Sequence, residues 1–238
     1  MQVVILAGGL ATRMEPLTMK IPKSMVDING KPLLWYQLEL LKQQGINDII
    51  VCVGHLGDQI ITYFGNGLKY SVEKEEPLGT AGAVKNIPCD WLEHDFIVLY
   101  GDIIFTIDLK KMFEFHKQKD AVATIHIHTK PILGSSSIRI DKTKRITEFV
   151  EKPTKLKKPN WVNSGIYIMN KRILGYIPAQ TNFDFGKQLF PLLIEKKKRL
   201  YGYPLKKREY WKEVGTVNRL EEFIRFFPKD LNINKLYQ

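Results

Sequence analysis

Short apolar runs alternate with helix-forming stretches through the first half of the chain, and this alternation constrains the fold more than any other feature. Runs rich in β-branched side chains predict strands at 3–6, 48–53, 70–73 and 96–100. The stretches between and after them predict helices at 33–44, 59–64, 81–86 and 109–117. Alternation of this kind builds a parallel sheet through helical crossovers, so the sequence predicts an α/β fold.

The pattern changes after residue 120, where predicted strands follow one another with polar turns between them and few helices. These strands are expected at 122–128, 137–140, 146–150 and 162–169. Two further helices, at 184–196 and 217–226, flank a strand at 200–203. The second half therefore predicts a mixed sheet. The whole of residues 1–227 is expected to form one domain, with residues 228–238 as a tail.

The chain is basic, with 36 Lys and Arg against 25 Asp and Glu and a formal net charge of +11. Basic clusters at 152–158, 196–199 and 206–208 favour polyanionic ligands. Nucleic acid, phosphorylated small molecules and plain solvated lysine surfaces all remain open as explanations. The clusters lack the interleaved aromatic residues of single-strand binders, and no helix-turn-helix or zinc-finger spacing accompanies them.

Other composition features exclude several classes of protein. No uncharged apolar run approaches the ~20 residues that a membrane span requires. Cys52 and Cys89 are too few and too far apart to indicate a disulfide framework or a metal cluster. Because no secretory leader precedes the first strand, a cytoplasmic protein is expected.

A glycine-containing turn directly follows the first predicted strand and reads A-G-G-L-A-T-R over residues 7–13. Gly8 and Gly9 lack a Cβ, so their backbone N–H groups are able to approach a polyphosphate. Arg13 and Lys23 supply positive charge to the same region. The turn is neither a Walker loop nor a dinucleotide-binding G-x-G-x-x-G fingerprint.

Two carboxylates stand where an α/β fold places its ligands. Asp102 follows the apolar strand 96–100, and ligands of open sheets bind outside such carboxyl ends. Glu213, in the segment Y-W-K-E-V-G-T of residues 210–216, precedes a predicted helix. Each also has an ordinary structural explanation, Asp102 as a turn or helix-capping residue and Glu213 as a carboxylate that stabilises a helix dipole.

Residues 8–23 closely resemble the signature of the sugar-phosphate nucleotidylyltransferases, G-G-x-G-T-R-x-x-P-x-T-x-x-x-P-K, with Ala11 at the third glycine. Five motifs occur in the order found in that family, and the resemblance spans residues 2–226. Besides the signature they are the segments E-E-P-L-G-T-A-G-A at 75–83, Y-G-D at 100–102, E-K-P with V-N-S-G-I-Y at 151–153 and 162–167, and residues 210–216.

The resemblance implies a Rossmann-like mixed, mainly parallel sheet flanked by helices, the GT-A-like nucleotidyltransferase fold, with a smaller sugar-binding β portion. It also implies a nucleotide-binding half to about residue 118 and a sugar-phosphate-binding half over 119–227. The implied reaction joins a sugar 1-phosphate to a nucleoside triphosphate, with Mg²⁺ as cofactor, and yields an NDP-sugar and pyrophosphate. Such chemistry depends on positioning and on cations near developing negative charge.

Residue roles follow from the same resemblance. Arg13 would grip the leaving pyrophosphate and Lys23 would stabilise charge near the α-phosphate. Asp102 and Glu213 would hold Mg²⁺, with Glu213 at a position where the family usually carries Asp. The nucleotide would contact Leu6, Ala7, Gly8, Gly9, Glu76, Pro77, Gly79, Thr80 and Gly101, and the sugar phosphate would contact Gly134, Glu151, Lys152 and Asn163.

The E-P-L-G-T-A-G form resembles the guanylyltransferases that make GDP-mannose and GDP-heptose more than uridylyl or thymidylyl enzymes. The expected partners are therefore GTP and a mannose or heptose 1-phosphate, without nucleic acid or membrane, and the sequence is compatible with a homodimer. Three alternatives stay open: the same reaction with UTP, CTP or dTTP, a non-catalytic sugar-nucleotide regulator suggested by Ala11 and Glu213, and a basic RNA-binding protein.

Overall fold

The computed structural model describes residues 1–73, 76–129, 135–154 and 161–226, and the chain divides into two compact units. The first unit comprises residues 2–77, 99–108 and 208 onward. The second unit comprises Met1, residues 78–98 and residues 109–207. Each unit is therefore assembled from segments that are distant in the sequence.

Thirteen strands lie within the described residues. In chain order they are β1 Gln2–Leu6, β2 Asp27–Ile28, β3 Lys31–Pro32, β4 Asp48–Val53, β5 Lys69–Val72, β6 Asp95–Tyr100, β7 Ile103–Phe105, β8 Ala123–His128, β9 Ser137–Ile140, β10 Ile146–Val150, β11 Val162–Asn170, β12 Leu200–Pro204 and β13 Trp211–Glu213. The α-helices of the same residues are α1 Leu33–Gln43, α2 Gly57–Phe64, α3 Gly79–Asn86, α4 Leu109–Gln118, α5 Phe190–Glu195 and α6 Val217–Phe226.

The first unit contains the parallel strands of the sheet in the order β1-β4-β5 and the last two residues of β6. β1 pairs in parallel with β4 from Gln2 opposite Asp48 to Leu6 opposite Cys52, and β4 pairs in parallel with β5. The central residues of β1 are fully buried, as expected for parallel strands covered on both faces. The carboxyl ends of β1 and β6 therefore carry the glycine turn and the Gly101-Asp102 pair.

A hydrophobic core in the first unit joins three segments that are far apart in sequence. Burying each large apolar side chain of this kind contributes roughly 1.5–3 kcal/mol. This core fixes α6 against the segment that carries Lys23. Its buried members are Met14, Val26, Ile28, Leu33, Tyr36, Leu40, Ile104, Val214, Leu220 and Phe223.

The second unit has a mixed sheet in the order β12-β8-β11, followed by the first four residues of β6, together with the antiparallel pair β9-β10. β11 is antiparallel to β8, and β12 is parallel to β8. The core of this unit contains buried imidazoles. His116, His126 and His128 are all buried, and Nδ1 of His126 lies 2.8 Å from the Ser164 hydroxyl oxygen.

The predicted fold class, a mixed and mainly parallel sheet flanked by helices, is confirmed. Predicted bounds match the observed ones for β4, β9, β10 and α6. The short strands β2, β3, β7 and β13 were not predicted, because two or three residues are too few to show a period.

The prediction of a single continuous α-helix over 184–196 is wrong. A π-helical turn, Phe185–Leu189, precedes α5, and the Asp184 side chain accepts hydrogen bonds from the N–H groups of Gly186 and Lys187. Pro191 lacks a backbone N–H, so the regular i to i−4 hydrogen bond cannot form at that position. Within the described residues, no helix combines the length and apolarity needed to cross a membrane.

Candidate functional site

The glycine turn after β1 packs closely against the end of β4. A Cβ on Gly54 would lie 2.8 Å from the Gly8 carbonyl oxygen, and a Cβ on Gly8 would lie 3.0 Å from the Gly54 nitrogen and 3.2 Å from Glu73 Oε1. Backbone packing therefore accounts for Gly8, whose contact with a nucleotide stays a prediction. Gly9 is exposed with open space around its Cβ position, which leaves its backbone accessible.

Ala11 adopts a left-handed conformation with φ 52° and ψ 37°, at the position where the signature has its third glycine. The Thr18 hydroxyl donates a 3.0 Å hydrogen bond to the Ala11 carbonyl oxygen, which also accepts the Met14 N–H at 2.9 Å. The departure from glycine therefore leaves the backbone geometry in place. A non-glycine residue in this region carries a strain of order 1–3 kcal/mol.

The two predicted basic residues meet the two predicted carboxylates inside the first unit. Lys23 Nζ forms an ion pair with Asp102 Oδ2, and the two side chains are only 16% and 13% exposed. Arg13 Nη2 lies 3.5 Å from Glu213 Oε1, and the Arg13 side chain is 61% exposed. The first pair is therefore partly desolvated, whereas the second is more open to solvent screening.

The pairing of β7 with β13 brings Asp102 and Glu213 together. Ile103 stands opposite Glu213 in this antiparallel pair, and the Val214 N–H donates a 2.8 Å hydrogen bond to the Asp102 carbonyl oxygen. The Gln37 amide donates to the carbonyl oxygens of Tyr100 and Ile103, each at 2.8 Å, and so fixes the same turn. Two carboxylates 111 positions apart thus become neighbours because one strand register holds them.

Gly101 and Leu6 contact each other through their backbones at the ends of β6 and β1. The Gly101 N–H donates to the Leu6 carbonyl oxygen at 2.9 Å, and a Cβ on Gly101 would lie 2.7 Å from that oxygen. Ala7, the next residue, is buried. Close backbone packing therefore accounts for Gly101, whose contact with a nucleotide stays a prediction.

The carboxylates fit a hard divalent cation. Asp102 Oδ1 is buried and has no hydrogen-bond partner among the described residues, although its other oxygen pairs with Lys23. A buried carboxylate oxygen without a partner calls for a ligand, and Mg²⁺ typically takes one or two carboxylates plus substrate phosphates. In the described part of the chain, no group of three or more His, Cys, Asp and Glu is able to hold a metal ion. Phosphate oxygens and water would have to complete the coordination.

The segment E-P-L-G-T-A-G is divided between the two units, with Glu76 and Pro77 exposed in the first. In the second unit, α3 begins at Gly79, whose φ is +71°. In the first turn of α3 the N–H groups of Ala81 and Gly82 both donate to the Phe183 carbonyl oxygen, so these two groups are already engaged within the protein.

Neighbouring backbone also occupies the space that the small residues of α3 leave. A Cβ on Gly79 would lie 2.8 Å from the Phe183 carbonyl oxygen, and a Cβ on Gly82 would lie 2.7 Å from that of Thr181. The Thr80 hydroxyl accepts the Phe185 N–H at 2.9 Å. The composition of this segment therefore has a packing reason in the second unit, and the nucleotide contacts of Gly79 and Thr80 stay predictions.

Of the predicted sugar-phosphate residues, Glu151 has the most distinctive surroundings. Its Oε2 would lie 2.5 Å from a Cβ on Gly186, so only glycine at 186 leaves room for the carboxylate. Burial raises the pKa of Glu151, Asp184 raises it further, and Lys152 and Lys187 act in the opposite direction. A carboxylate with little water around it gains more from a hydroxyl donor than an exposed one does.

The other predicted sugar-phosphate residues differ from Glu151 in their surroundings. Lys152 is exposed, so its ammonium group is accessible to a phosphate as a compact point charge. The Asn163 side chain accepts the Gly165 N–H at 3.0 Å and donates to the Tyr167 hydroxyl at 2.7 Å, so it supports the irregular register of β11. Gly134 lies outside the described residues.

Sequence patterns did not identify several residues that shape these surroundings. Arg219 Nη1 donates to Glu213 Oε2 at 2.7 Å, and a Cβ on Gly215 would overlap Glu213 Oε1. Glu73 lies beside Gly8, and Gly186 beside Glu151. The sequence offered one signal for two of these residues, which is their position near a motif. Gly215 lies within residues 210–216, and Glu73 lies just before residues 75–83.

Comparisons with known proteins show the family to which the chain belongs. The family described as "Nucleotidyl transferase" matches residues 2–230. A UTP--glucose-1-phosphate uridylyltransferase of Synechocystis is 33% identical over 94% of this chain and 63% of its own length. A D-glycero-alpha-D-manno-heptose 1-phosphate guanylyltransferase of Campylobacter jejuni is 34% identical over 94% of this chain and 99% of its own length. The chain thus spans less than two thirds of the first of these relatives and nearly all of the second.

A solved structure also resembles this chain over nearly its whole length. HddC from Yersinia pseudotuberculosis is 32% identical, with a TM-score of 0.80, and the match covers 95% of this chain and 99% of HddC. HddC has also been solved complexed with GMP-PN.

Proposed function

The chain belongs to the nucleotidyl transferase family, and from this premise we propose that it joins a nucleoside triphosphate to a sugar 1-phosphate. The products are an NDP-sugar and pyrophosphate. The observation that carries this proposal is the meeting of Arg13, Lys23, Asp102 and Glu213 in the first unit. Converging cations and metal-binding carboxylates are what transfer at a phosphate requires, because catalysis there depends on positioning and charge stabilisation.

Asp102 and Glu213 would hold Mg²⁺, which neutralises phosphate charge when bound. Lys23, partly buried beside Asp102, stabilises the negative charge that develops at the α-phosphate, and Arg13 binds the departing pyrophosphate. An oxygen of the sugar 1-phosphate forms the new bond to the α-phosphorus while the bond to pyrophosphate breaks. No protein base is needed, since a phosphate monoester with a second pKa of about 6 is already deprotonated near neutral pH.

GTP is the proposed nucleotide, on the evidence of Glu73. Its carboxylate lies beside Gly8, in the turn proposed to hold the base and phosphates. Guanine presents its N1–H and N2–H donors side by side, and one carboxylate is able to accept both, whereas uracil presents a single N–H between two carbonyl oxygens. The guanylyltransferase relative and the GMP-PN complex of HddC support the same choice, and a mannose- or heptose-type 1-phosphate is the proposed acceptor.

The test is pyrophosphate release by the purified protein with each common nucleoside triphosphate and a panel of mannose, heptose and glucose 1-phosphates. We expect the highest kcat/KM with GTP and a mannose or heptose 1-phosphate, and no release in EDTA. A UTP preference would support the alternative that the uridylyltransferase relative favours. Tight binding of sugar nucleotides without any pyrophosphate release would instead support the non-catalytic regulator.

Glu73→Gln tests the choice of base separately. Losing a hydrogen bond to a charged group costs about 1.5–3 kcal/mol, so the preference for GTP over UTP should fall by roughly tenfold or more. The ratio of kcat/KM values for the two nucleotides measures this. An unchanged ratio would assign base recognition to other groups.

A further inference from the structure

Arg219 is bonded to Glu213 more firmly than Arg13 is. Arg219 lies in α6, and its Nη1 donates to Glu213 Oε2 at 2.7 Å, with the two side chains 25% and 19% exposed. The Arg13 contact to Oε1 is 3.5 Å, and that side chain is mostly exposed. A short, partly desolvated charge pair is the stronger of the two, so one carboxylate oxygen of Glu213 is fixed by Arg219.

The other oxygen of Glu213 faces the Lys23–Asp102 pair. Oε1 overlaps the position where a Cβ on Gly215 would stand, and that same position is 3.2 Å from Lys23 Nζ. Lys23 in turn pairs with Asp102, whose Oδ1 lacks a hydrogen-bond partner among the described residues. Glu213 Oε1 and Asp102 therefore both lie near the Lys23 ammonium group.

The backbone that carries Arg219 is held in place by the core. Leu220, the next residue, and Phe223 are 6% and 1% exposed and belong to the hydrophobic core of the first unit. The Leu220 N–H also donates to the Thr216 carbonyl oxygen at 3.0 Å. A guanidinium on a rigid helix is well suited to restrain a flexible carboxylate, because its planar donors fix an orientation as well as a distance.

We infer that Arg219 is a positioning residue that holds Glu213 Oε2 and so presents Oε1 alone to the divalent cation. This inference rests on the proposed function. It explains how a glutamate is able to serve at position 213, where the family usually carries aspartate. Its side chain has one more rotatable bond than aspartate, and the bond to Arg219 removes that extra freedom. Gly215 supplies the complementary condition, since any side chain there would displace Oε1.

Binding of GTP without sugar 1-phosphate tests the inference apart from turnover. Calorimetry compares the affinity for GTP in the presence of Mn²⁺ with that in EDTA for the wild type and Arg219→Gln. Partners that orient a metal ligand typically contribute 10–100-fold to metal affinity, so we expect at least roughly tenfold weaker binding in Mn²⁺ and unchanged binding in EDTA. Arg219→Lys, which keeps the charge, should recover part of the loss. Arg225→Gln, on an exposed residue of the last turn of α6, is the matched control.

A double-mutant cycle decides whether Arg219 acts through Glu213. In a Glu213→Gln background, Arg219→Gln should have little further effect on Mn²⁺-dependent binding, because the carboxylate that Arg219 orients is already lost. An effect of undiminished size in that background, equal loss in EDTA, or wild-type affinity in Arg219→Gln would each overturn the inference. Failure of the proposed function is distinguishable, because the wild type would then bind GTP with Mn²⁺ but release no pyrophosphate with any sugar 1-phosphate.

Discussion

The two units satisfy their partly buried polar groups in different ways. In the first unit the groups are charged, and the two carboxylates of the proposed site are paired with cations, Asp102 with Lys23 and Glu213 with Arg219. In the second unit the partners are mostly neutral, as in the hydrogen bonds of His126 with Ser164 and of Asn163 with Tyr167.

This difference predicts which kinds of substitution should disturb each unit. Removing a charge in the first unit leaves its partner uncompensated and alters the field at the proposed phosphate site. Crowding Glu151, or forcing a proton onto a buried imidazole, should disturb the second unit instead.

The largest expected effect is that of Lys23→Ala. Removing a group that stabilises developing charge typically lowers kcat by about 10²–10³-fold, and we expect a loss of that size in pyrophosphate release. Lys20→Ala, on an exposed residue of the same segment, should keep the wild-type rate. Thermal unfolding checks that the Lys23 variant is folded. A folded Lys23→Ala protein with full turnover would refute the charge-based description of the first unit.

A smaller effect is expected from Gly186→Ala, which tests whether shape governs the second unit. The added Cβ must push the Glu151 carboxylate from its place, and a misplacement of about 1 Å can cost up to 10²-fold. We expect kcat/KM for the sugar 1-phosphate to fall by up to that factor while KM for GTP changes little. Gly175→Ala is the control, because nothing lies within 4 Å of its Cβ position. An equal loss for both substrates would contradict the assignment of Glu151 to the sugar phosphate.

Acid should destabilise the protein through the buried histidines of the second unit. Burial lowers the pKa of His126 to about 3, and electrostatic interactions with His128 and Lys206 act in the same direction; burial also lowers the pKa of His116. The unfolded chain takes up protons below about pH 6.5 while the folded chain does not, so stability should be lost as the pH falls from 6.5. Above pH 6.5 these groups should have no effect.

The slope of unfolding free energy against pH measures this effect, and each histidine contributes at most about 1.4 kcal/mol per pH unit. His126→Asn should unfold more easily at neutral pH but show a shallower slope. His55→Asn, on an exposed histidine of the first unit, should leave the slope unchanged. An identical slope in His126→Asn and wild type would show that this imidazole is not the group that resists protonation.

The smallest expected effect is that of Ala11→Gly, which relieves the left-handed alanine of the first unit. Glycine adopts φ 52° without a steric penalty but loses more entropy on folding, so a net gain near 1 kcal/mol is expected in urea unfolding. Turnover should stay unchanged, because the backbone geometry is already in place. Ala11→Val should be destabilised, since β-branched residues rarely adopt positive φ. If Ala11→Gly were strongly destabilised, the strained conformation of Ala11 would be refuted.

Local patterns are enough to predict most of the elements and to indicate the four charged residues that meet in the first unit. The predicted bounds of strand β4 and helix α6 agree with the observed ones, and the sequence motifs by themselves indicate Arg13, Lys23, Asp102 and Glu213. The predictions fail where the local pattern is too short or is overridden. β7 and β13 have three residues each, and the π-helical turn before α5 depends on Pro191 and the Asp184 side chain.

The sequence by itself determined the α/β alternation and the chemical types gathered in each motif, because hydrophobic period, turn residues and charge are properties of neighbouring positions. Only the tertiary structure decided which groups meet. The register of β7 with β13 places Glu213 beside Asp102, the core around Leu220 brings Arg219 to Glu213, and Gly186 leaves the space that Glu151 occupies. Most of these contacts join residues that are far apart along the chain, and such distances in sequence carry no periodic signal from which a contact can be inferred.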